Sequence, residues 1–187
     1  YADKKLKADT EVVLAAVKQY GSALEYADKK LRANKKIVLV AVKQSGPALE
    51  YADKKLKADT EVVLAAAKKY AYVFEYADKK LRADKKFILT AVKQNGDALQ
   101  YAEDNLKADK EIVFIAVKQY GRALQFANDK LKVDKEVVLT AVKQDENAVQ
   151  YAGDKIRFDK AFMKKLFPEE EIFEKYFIDK ENLKYKY

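Results

Sequence analysis

The chain contains no cysteine, no histidine and no tryptophan, and only one methionine among its 187 residues. The absence of cysteine excludes disulfides, thiolate metal sites and cysteine nucleophiles. The absence of histidine excludes haem–histidine ligation and every catalytic triad that uses an imidazole base. Two prolines and five glycines are very few, so we expect long regular elements joined by short connections.

Long hydrophobic segments are also missing. The longest apolar runs hold six residues, such as VVLAAV at 12–17, whereas a membrane-spanning helix needs roughly 20. The first residues, YADKKLK, lack the apolar stretch of a secretory signal. Together with the lack of cysteine this predicts a cytoplasmic protein, or one in the host cytoplasm for a virus or mobile element. Because the chain begins with tyrosine rather than methionine, we expect the native start to lie upstream.

What the sequence does contain is a repeat of 25 residues. The first repeat reads YADKKLKADTEVVLAAVKQYGSALE and the second reads YADKKLRANKKIVLVAVKQSGPALE. Repeats one to seven begin at Tyr1, Tyr26, Tyr51, Tyr76, Tyr101, Phe126 and Tyr151. We therefore predict a repeat array over residues 1–160 and a separate capping region over 161–187, where the pattern is lost.

Each repeat predicts two helices. The first follows an Asp or Asn such as Asp9, whose side chain can accept hydrogen bonds from the first-turn N–H groups, and it ends near Gln19, before a glycine of the kind that ends helices in the left-handed conformation. The second covers about residues 22–32, with one apolar stripe. A 25-residue unit cannot bury these faces alone, but stacked neighbours can. The fold class is therefore all-α: an α-solenoid of six to seven helix–turn–helix repeats with a C-terminal helical cap and no strands.

The capping region carries its own helix signals. Pro168 and the acidic run 169–171 are typical of a helix start. Ile172, Phe173, Tyr176 and Phe177 then supply an apolar stripe for the last repeat, and Asp179 could begin one more turn through Leu183. No equivalent cap precedes repeat one, so self-association through this open end is a further expectation.

The repeat resembles a family of unknown function whose units follow the pattern LKADKEVVLAAVKQNGxALEYA. Residues 106–113 (LKADKEIV) and 116–127 (AVKQYGRALQFA) match this pattern closely. The resemblance covers residues 1–160 and implies a helical repeat fold. It offers no catalytic residue or ligand.

No motif predicts catalysis. The glycines are isolated, so no phosphate-binding loop is present, and only Ser22 and Ser45 could serve as serine nucleophiles, without a histidine to activate them. Carboxylates such as Asp3 and Asp28 recur in successive repeats, which is typical of surface ion pairs rather than of one catalytic dyad. We expect no enzyme activity, no cofactor and no metal site.

Positive charge is the feature that differs most between repeats. The net charge of the chain is +8, and repeats two to four hold the excess. Two clusters span the end of one predicted helix and the start of the next, where lysine opposes the helix dipole. These clusters are candidate partner-binding residues: Lys29, Lys30, Arg32, Lys35 and Lys36 in repeat two, and Lys79, Lys80, Arg82, Lys85 and Lys86 in repeat four. The alternative is a lysine-rich surface that serves solubility only.

Three tyrosines form a second candidate set. Tyr20, Tyr70 and Tyr120 occur only in odd repeats, which indicates an underlying duplication of 50 residues. They could line a groove and anchor a partner, or pack against the next loop.

Two functions remain open at this stage. The first is a non-enzymatic helical repeat protein that binds another protein through its repeat surface. The second is an electrostatic binder or inhibitor of nucleic-acid machinery, for example an anti-CRISPR-type inhibitor of an RNA-guided nuclease from a phage or mobile element. Nucleic acid or ribonucleoprotein would bind the basic edge without sequence specificity and with a steep salt dependence.

Overall fold

A computed structural model describes residues 3–68 and 70–177 of the chain. These residues form an all-α repeat fold without strands, as predicted. The chain divides into two compact bodies, Tyr1–Ile88 and Leu89–Tyr187. We call them the first and second body and describe each by itself. The predicted turn from Asp179 to Leu183 lies outside the described residues.

Every repeat contains one long α-helix in the predicted place. The predicted N-caps are confirmed: the Asp9 carboxylate, for example, accepts hydrogen bonds from the backbone N–H groups of Glu11 and Val12. Asn34, Asp59, Asp84, Asp109 and Asp134 do the same in their repeats. The long helices are Thr10–Gln19, Lys35–Gln44, Thr60–Ala67, Lys85–Gln94, Lys110–Gln119, Lys135–Gln144 and Lys160–Leu166.

The predicted second helix is instead two shorter ones. A 3₁₀-helix comes first and a short α-helix follows, because the chain is extended at the two residues between them, Ala27 and Asp28 in repeat two. The Asp28 N–H group donates to the carbonyl of Lys7 in the preceding repeat, and its side chain caps the next helix. Periodicity could not show this break, since the apolar stripe continues across it. The 3₁₀-helices are Gly21–Tyr26, Gly46–Tyr51, Ala71–Tyr76, Gly96–Tyr101, Gly121–Phe126 and Glu146–Tyr151. The short helices are Lys4–Ala8, Lys29–Arg32, Lys54–Lys57, Lys79–Arg82, Asp104–Lys107, Asp129–Lys132 and Asp154–Arg157.

In the first body the long helices of repeats one to three pack side by side. The long helix of repeat two also contacts the 3₁₀-helix of its own repeat and that of repeat one. Val38, Ala41 and Leu49 are fully buried in this arrangement. The core is therefore shared between neighbouring repeats, as the apolar circumference of the long helix requires.

The second body repeats this packing with the long helices of repeats five and six. Helix Glu170–Tyr176 closes its last repeat, as the cap prediction expected: Phe173 is 2% exposed and stacks on Phe177. The Tyr176 hydroxyl donates to the Asn147 side chain at 2.8 Å. Pro168 lies two residues before the helix rather than at its first position.

The glycines after the long helices serve a purpose other than the predicted one. No glycine in the described part of the chain has a positive φ. At Gly21, Gly46, Gly96 and Gly121 an added Cβ would instead meet a backbone carbonyl oxygen in the long helix of the next repeat, that of Ala41, Ala66, Ala116 and Ala141 respectively. Glycine is therefore needed for close approach of two backbones rather than for a left-handed turn.

Candidate partner-binding surface

The ten basic residues predicted from the sequence all lie in the first body, on two kinds of element. The pairs Lys35–Lys36 and Lys85–Lys86 begin long helices. The other six lie on the short helices of repeats two and four: Lys29, Lys30, Arg32, Lys79, Lys80 and Arg82.

Backbone hydrogen bonds join the short helices of the first body end to end. In each case a residue of the last turn of one short helix accepts through its carbonyl oxygen, and the N-cap residue of the next short helix donates. The donor and acceptor pairs are Asp28 to Lys7 at 2.8 Å, Asp53 to Arg32 at 3.0 Å and Asp78 to Lys57 at 2.9 Å. The short helices of repeats one to four therefore form one continuous line, which we call the short-helix row.

The short-helix row carries twelve basic side chains, of which sequence reasoning had selected half. The six that it missed belong to repeats one and three: Lys4, Lys5, Lys7, Lys54, Lys55 and Lys57. Acidic residues elsewhere in repeats one and three balance these lysines, so a count of net charge per repeat does not reveal them. The motif KKLK or KKLR, present in all four repeats, was the signal that could have found them.

The short helices of the second body are different. Each begins with an aspartate that pairs with the basic residue three positions later. The contacts are Asp104 with Lys107 at 3.8 Å, Asp129 with Lys132 at 3.4 Å and Asp154 with Arg157 at 2.7 Å. In the first body a lysine stands in place of that aspartate, which puts two like charges three positions apart in each short helix.

Charge is consequently divided unequally between the bodies. Residues 1–88 hold 20 Lys and Arg against 12 Asp and Glu, whereas residues 89–187 hold 18 of each. The whole net charge of +8 therefore belongs to the first body.

Lys35 forms ion pairs with the next repeat, although a lysine at the start of a helix is unfavourable for the helix dipole. Its ammonium group lies 2.8 Å from the Asp59 carboxylate and 2.9 Å from Glu61, both in the next repeat. The hydrogen bond to Asp59 raises the pKa of Lys35. Burial alone would raise the pKa of Asp59, but the bonds from Lys35 and from its own helix start lower it. Lys35 thus links two repeats, while Lys36, Lys85 and Lys86 are exposed.

The three predicted tyrosines are all exposed and are divided between the two bodies. Tyr20 and Tyr70 belong to the first body, 70% and 56% exposed, with Ser45 of repeat two in the intervening position. Tyr120 belongs to the second body and is 37% exposed. In even repeats the same position has Asn95 or Asp145, whose side chains cap the following 3₁₀-helix.

Tyr51 and Tyr76, which open repeats three and four, lie beside carboxylates. The charge of Glu25 raises the pKa of Tyr51, with a smaller effect of burial. Burial and the charge of Glu50 raise the pKa of Tyr76. Tyr51 and Tyr76 are half-buried.

The part of the chain that the structure describes holds no cluster of three acidic side chains placed to bind a metal ion. It also holds no helix with the length and apolar character to cross a membrane.

The chain belongs to the DUF4116 family, a domain of unknown function whose model matches residues 1–32, 34–82, 84–132 and 134–167. The two longest matches each span two 25-residue repeats and begin at the N-cap of a long helix, Asn34 or Asp84. The family unit is thus a pair of repeats, in agreement with the 50-residue duplication. No match was found among curated proteins or among solved structures.

Proposed function

We propose that this protein is a non-enzymatic binding protein that recognises an acidic region of a partner protein through the short-helix row. The observation that carries the proposal is the continuity of the row: four short helices, joined by backbone hydrogen bonds, carry twelve basic side chains. Like charges in a line repel one another, and binding an anionic partner relieves that repulsion.

A nucleic acid is the second candidate, and the same line of charge supports it. The absence of a base-reading side-chain pattern favours a protein partner. The absence of cysteine supports a reducing, cytoplasmic site of action for either partner.

The test uses a charge-reversal triple variant, Lys30→Glu, Lys55→Glu and Lys80→Glu. These three exposed residues occupy the same position in successive short helices, and only their backbone N–H groups are used by the fold. The second body supplies a matched control at the same repeat position, Lys130→Glu with Lys155→Glu.

Binding is measured by titration of a labelled polyglutamate peptide, single-stranded RNA and duplex DNA at several salt concentrations. We expect the triple variant to lose at least about tenfold in affinity for the peptide, and the control variant to retain it. A log-linear salt slope of several units with RNA, and no peptide binding, would assign the row to nucleic acid instead. If the triple variant binds the peptide, the RNA and the DNA as tightly as the unchanged protein does, the short-helix row is not the binding surface.

A further inference from the structure

Three of the short helices end in an arginine: Arg32, Arg82 and Arg157. Each of these side chains is half-buried. In each the Nε atom is shielded from solvent and has no hydrogen-bond partner in the part of the chain that the structure describes. The three arginines are therefore packed alike as far as Nε, and their Nη groups are the part left to make hydrogen bonds.

Repeat seven shows what kind of group this arginine position accepts. The Nη2 atom of Arg157 donates to a carboxylate oxygen of Asp154, three positions earlier in the same short helix, at 2.7 Å. A guanidinium group is a planar fork of N–H donors that matches the geometry of a carboxylate. The end of a short helix therefore binds a carboxylate when one lies beside it.

Repeats two and four lack this internal carboxylate. The residues in place of Asp154 are Lys29 and Lys79. Residues three positions apart are neighbours on the surface of a helix. In repeat two, a carboxylate supplied from outside would thus lie beside the exposed Lys29 and the fork of Arg32, both of which attract it.

The odd repeats of the short-helix row differ at the arginine position. Repeats one and three have Lys7 and Lys57 there. An ammonium group attracts an anion as a compact point charge, without the fixed geometry of a guanidinium fork. The row therefore contains two forks separated by one repeat of lysines, with the same 50-residue spacing as the family unit.

We propose that Arg32 and Arg82 are the specificity-determining residues of the short-helix row, and that each binds one carboxylate of the partner where repeat seven has Asp154. This inference rests on the function proposed above. Packed helices lie about 8–10 Å apart, so two repeats separate the arginines by roughly 16–20 Å. An extended chain advances about 3.3–3.6 Å per residue, so the partner presents two acidic residues about five or six positions apart.

The first experiment keeps the charge of the row and removes its forks. The full chain with Arg32→Lys and Arg82→Lys is titrated with labelled peptides of eight and of four glutamates. Only the longer peptide can reach both arginines, since four residues span at most about 14 Å. Arg157→Lys is the matched control in the second body, and urea unfolding verifies that each variant is folded.

We expect the double variant to lose at least roughly tenfold in affinity for the longer peptide, because two charge-assisted forks become point charges. The loss for the shorter peptide should be about two- to threefold. Arg157→Lys should bind both peptides as the unchanged protein does, since its guanidinium group already has a partner in Asp154.

The second experiment compares two variants with the same net charge. Lys29→Asp supplies Arg32 with an internal carboxylate, as Asp154 does for Arg157. Lys30→Asp changes the charge equally at the neighbouring exposed position, without a carboxylate three residues before the arginine. We expect Lys29→Asp to lose at least about fivefold in affinity for the longer peptide, and Lys30→Asp no more than about twofold.

Unchanged affinity of the Arg32→Lys and Arg82→Lys variant, together with a loss in the triple variant of Lys30, Lys55 and Lys80, would overturn the role of the arginines. The proposed function would then stand, with the row binding through charge alone. Equal losses in Lys29→Asp and Lys30→Asp would lead to the same conclusion. If neither the triple variant nor the arginine variant loses affinity, the proposed function and this inference both fail.

Discussion

Substitution of Gly121 by alanine tests whether close approach of backbones holds neighbouring repeats together. The new Cβ would meet the Ala141 carbonyl oxygen, and it would lie 2.9 Å from Gln144 Oε1. That carbonyl accepts the N–H group of Asp145 at 2.9 Å, and the Gly121 N–H group donates to Gln144 Oε1. The neighbours are backbone atoms and a fixed amide, so they cannot move aside cheaply.

The expected cost combines three effects. Overpacking costs about 1–3 kcal/mol, and a weakened hydrogen bond at the helix end adds about 0.5–1.5 kcal/mol. Alanine also lowers the conformational entropy of the unfolded chain, and this stabilises the folded protein by about 0.4–1 kcal/mol. We therefore expect the free energy of unfolding to fall by about 2 kcal/mol.

Gly153→Ala is the matched control. Its new Cβ would lie 2.6 Å from one methyl carbon of Val133, and its next neighbours are 3.8 Å away. A side-chain methyl can move by a change of rotamer at about 0.5–1.5 kcal/mol, largely offset by the effect of alanine on the unfolded chain. Gly153 has φ −66° and ψ 155°, which alanine adopts without strain.

Urea unfolding followed by circular dichroism measures both variants, and hydrogen exchange across Gly121–Phe126 locates the loss. Exchange is needed because repeat arrays unfold in parts. If Gly121→Ala is as stable as Gly153→Ala or more so, close backbone approach does not determine the choice of glycine. Repeats three and six carry Ala71 and Glu146 at this position.

Three further predictions follow from contacts between or within repeats. Gly153→Asp introduces the residue found at this position in repeats one to four, and it should destabilise the protein because its Cβ would meet Val133. Adding Val133→Ala should recover most of the lost stability in a double-mutant cycle, whereas additive effects would show that the two positions do not interact. Arg122, with Nε 2.6 Å from Asp145, lowers the pKa of that carboxyl below its ordinary 3.8, so its stabilisation is complete above pH ~4 and disappears as the pH falls through the lowered value. The free energy of unfolding, measured from pH 2 to 7, should therefore fall less steeply below pH ~4 for Asp145→Asn than for the unchanged protein. The same fall in both proteins would show that this ion pair does not contribute to the pH dependence of stability. Tyr176→Phe should cost about 0.5–1.5 kcal/mol in chemical denaturation, because the hydroxyl joins the cap helix to repeat six, and an unchanged midpoint would show that the cap is held by ring packing alone.

The sequence alone determined the repeat, its register and the long helices. A period of 25 residues and an Asp or Asn before each apolar run are local signals, and the long helix of every repeat follows such a residue in the structure. The candidate cations of repeats two and four were also visible, since runs such as Lys35–Lys36 can be read without coordinates.

Only the tertiary structure decided how these pieces meet. The break at Ala27 and Asp28 depends on a hydrogen bond to the preceding repeat, which no local propensity encodes. The same type of bond joins the short helices into one row, and the lysines of repeats one and three therefore become part of the basic surface. The pairing of Lys35 with Asp59 is likewise a contact between residues 24 positions apart. In a stacked array each repeat completes its neighbour, so the partner of a side chain lies one period away and is identified only when the repeats are in contact.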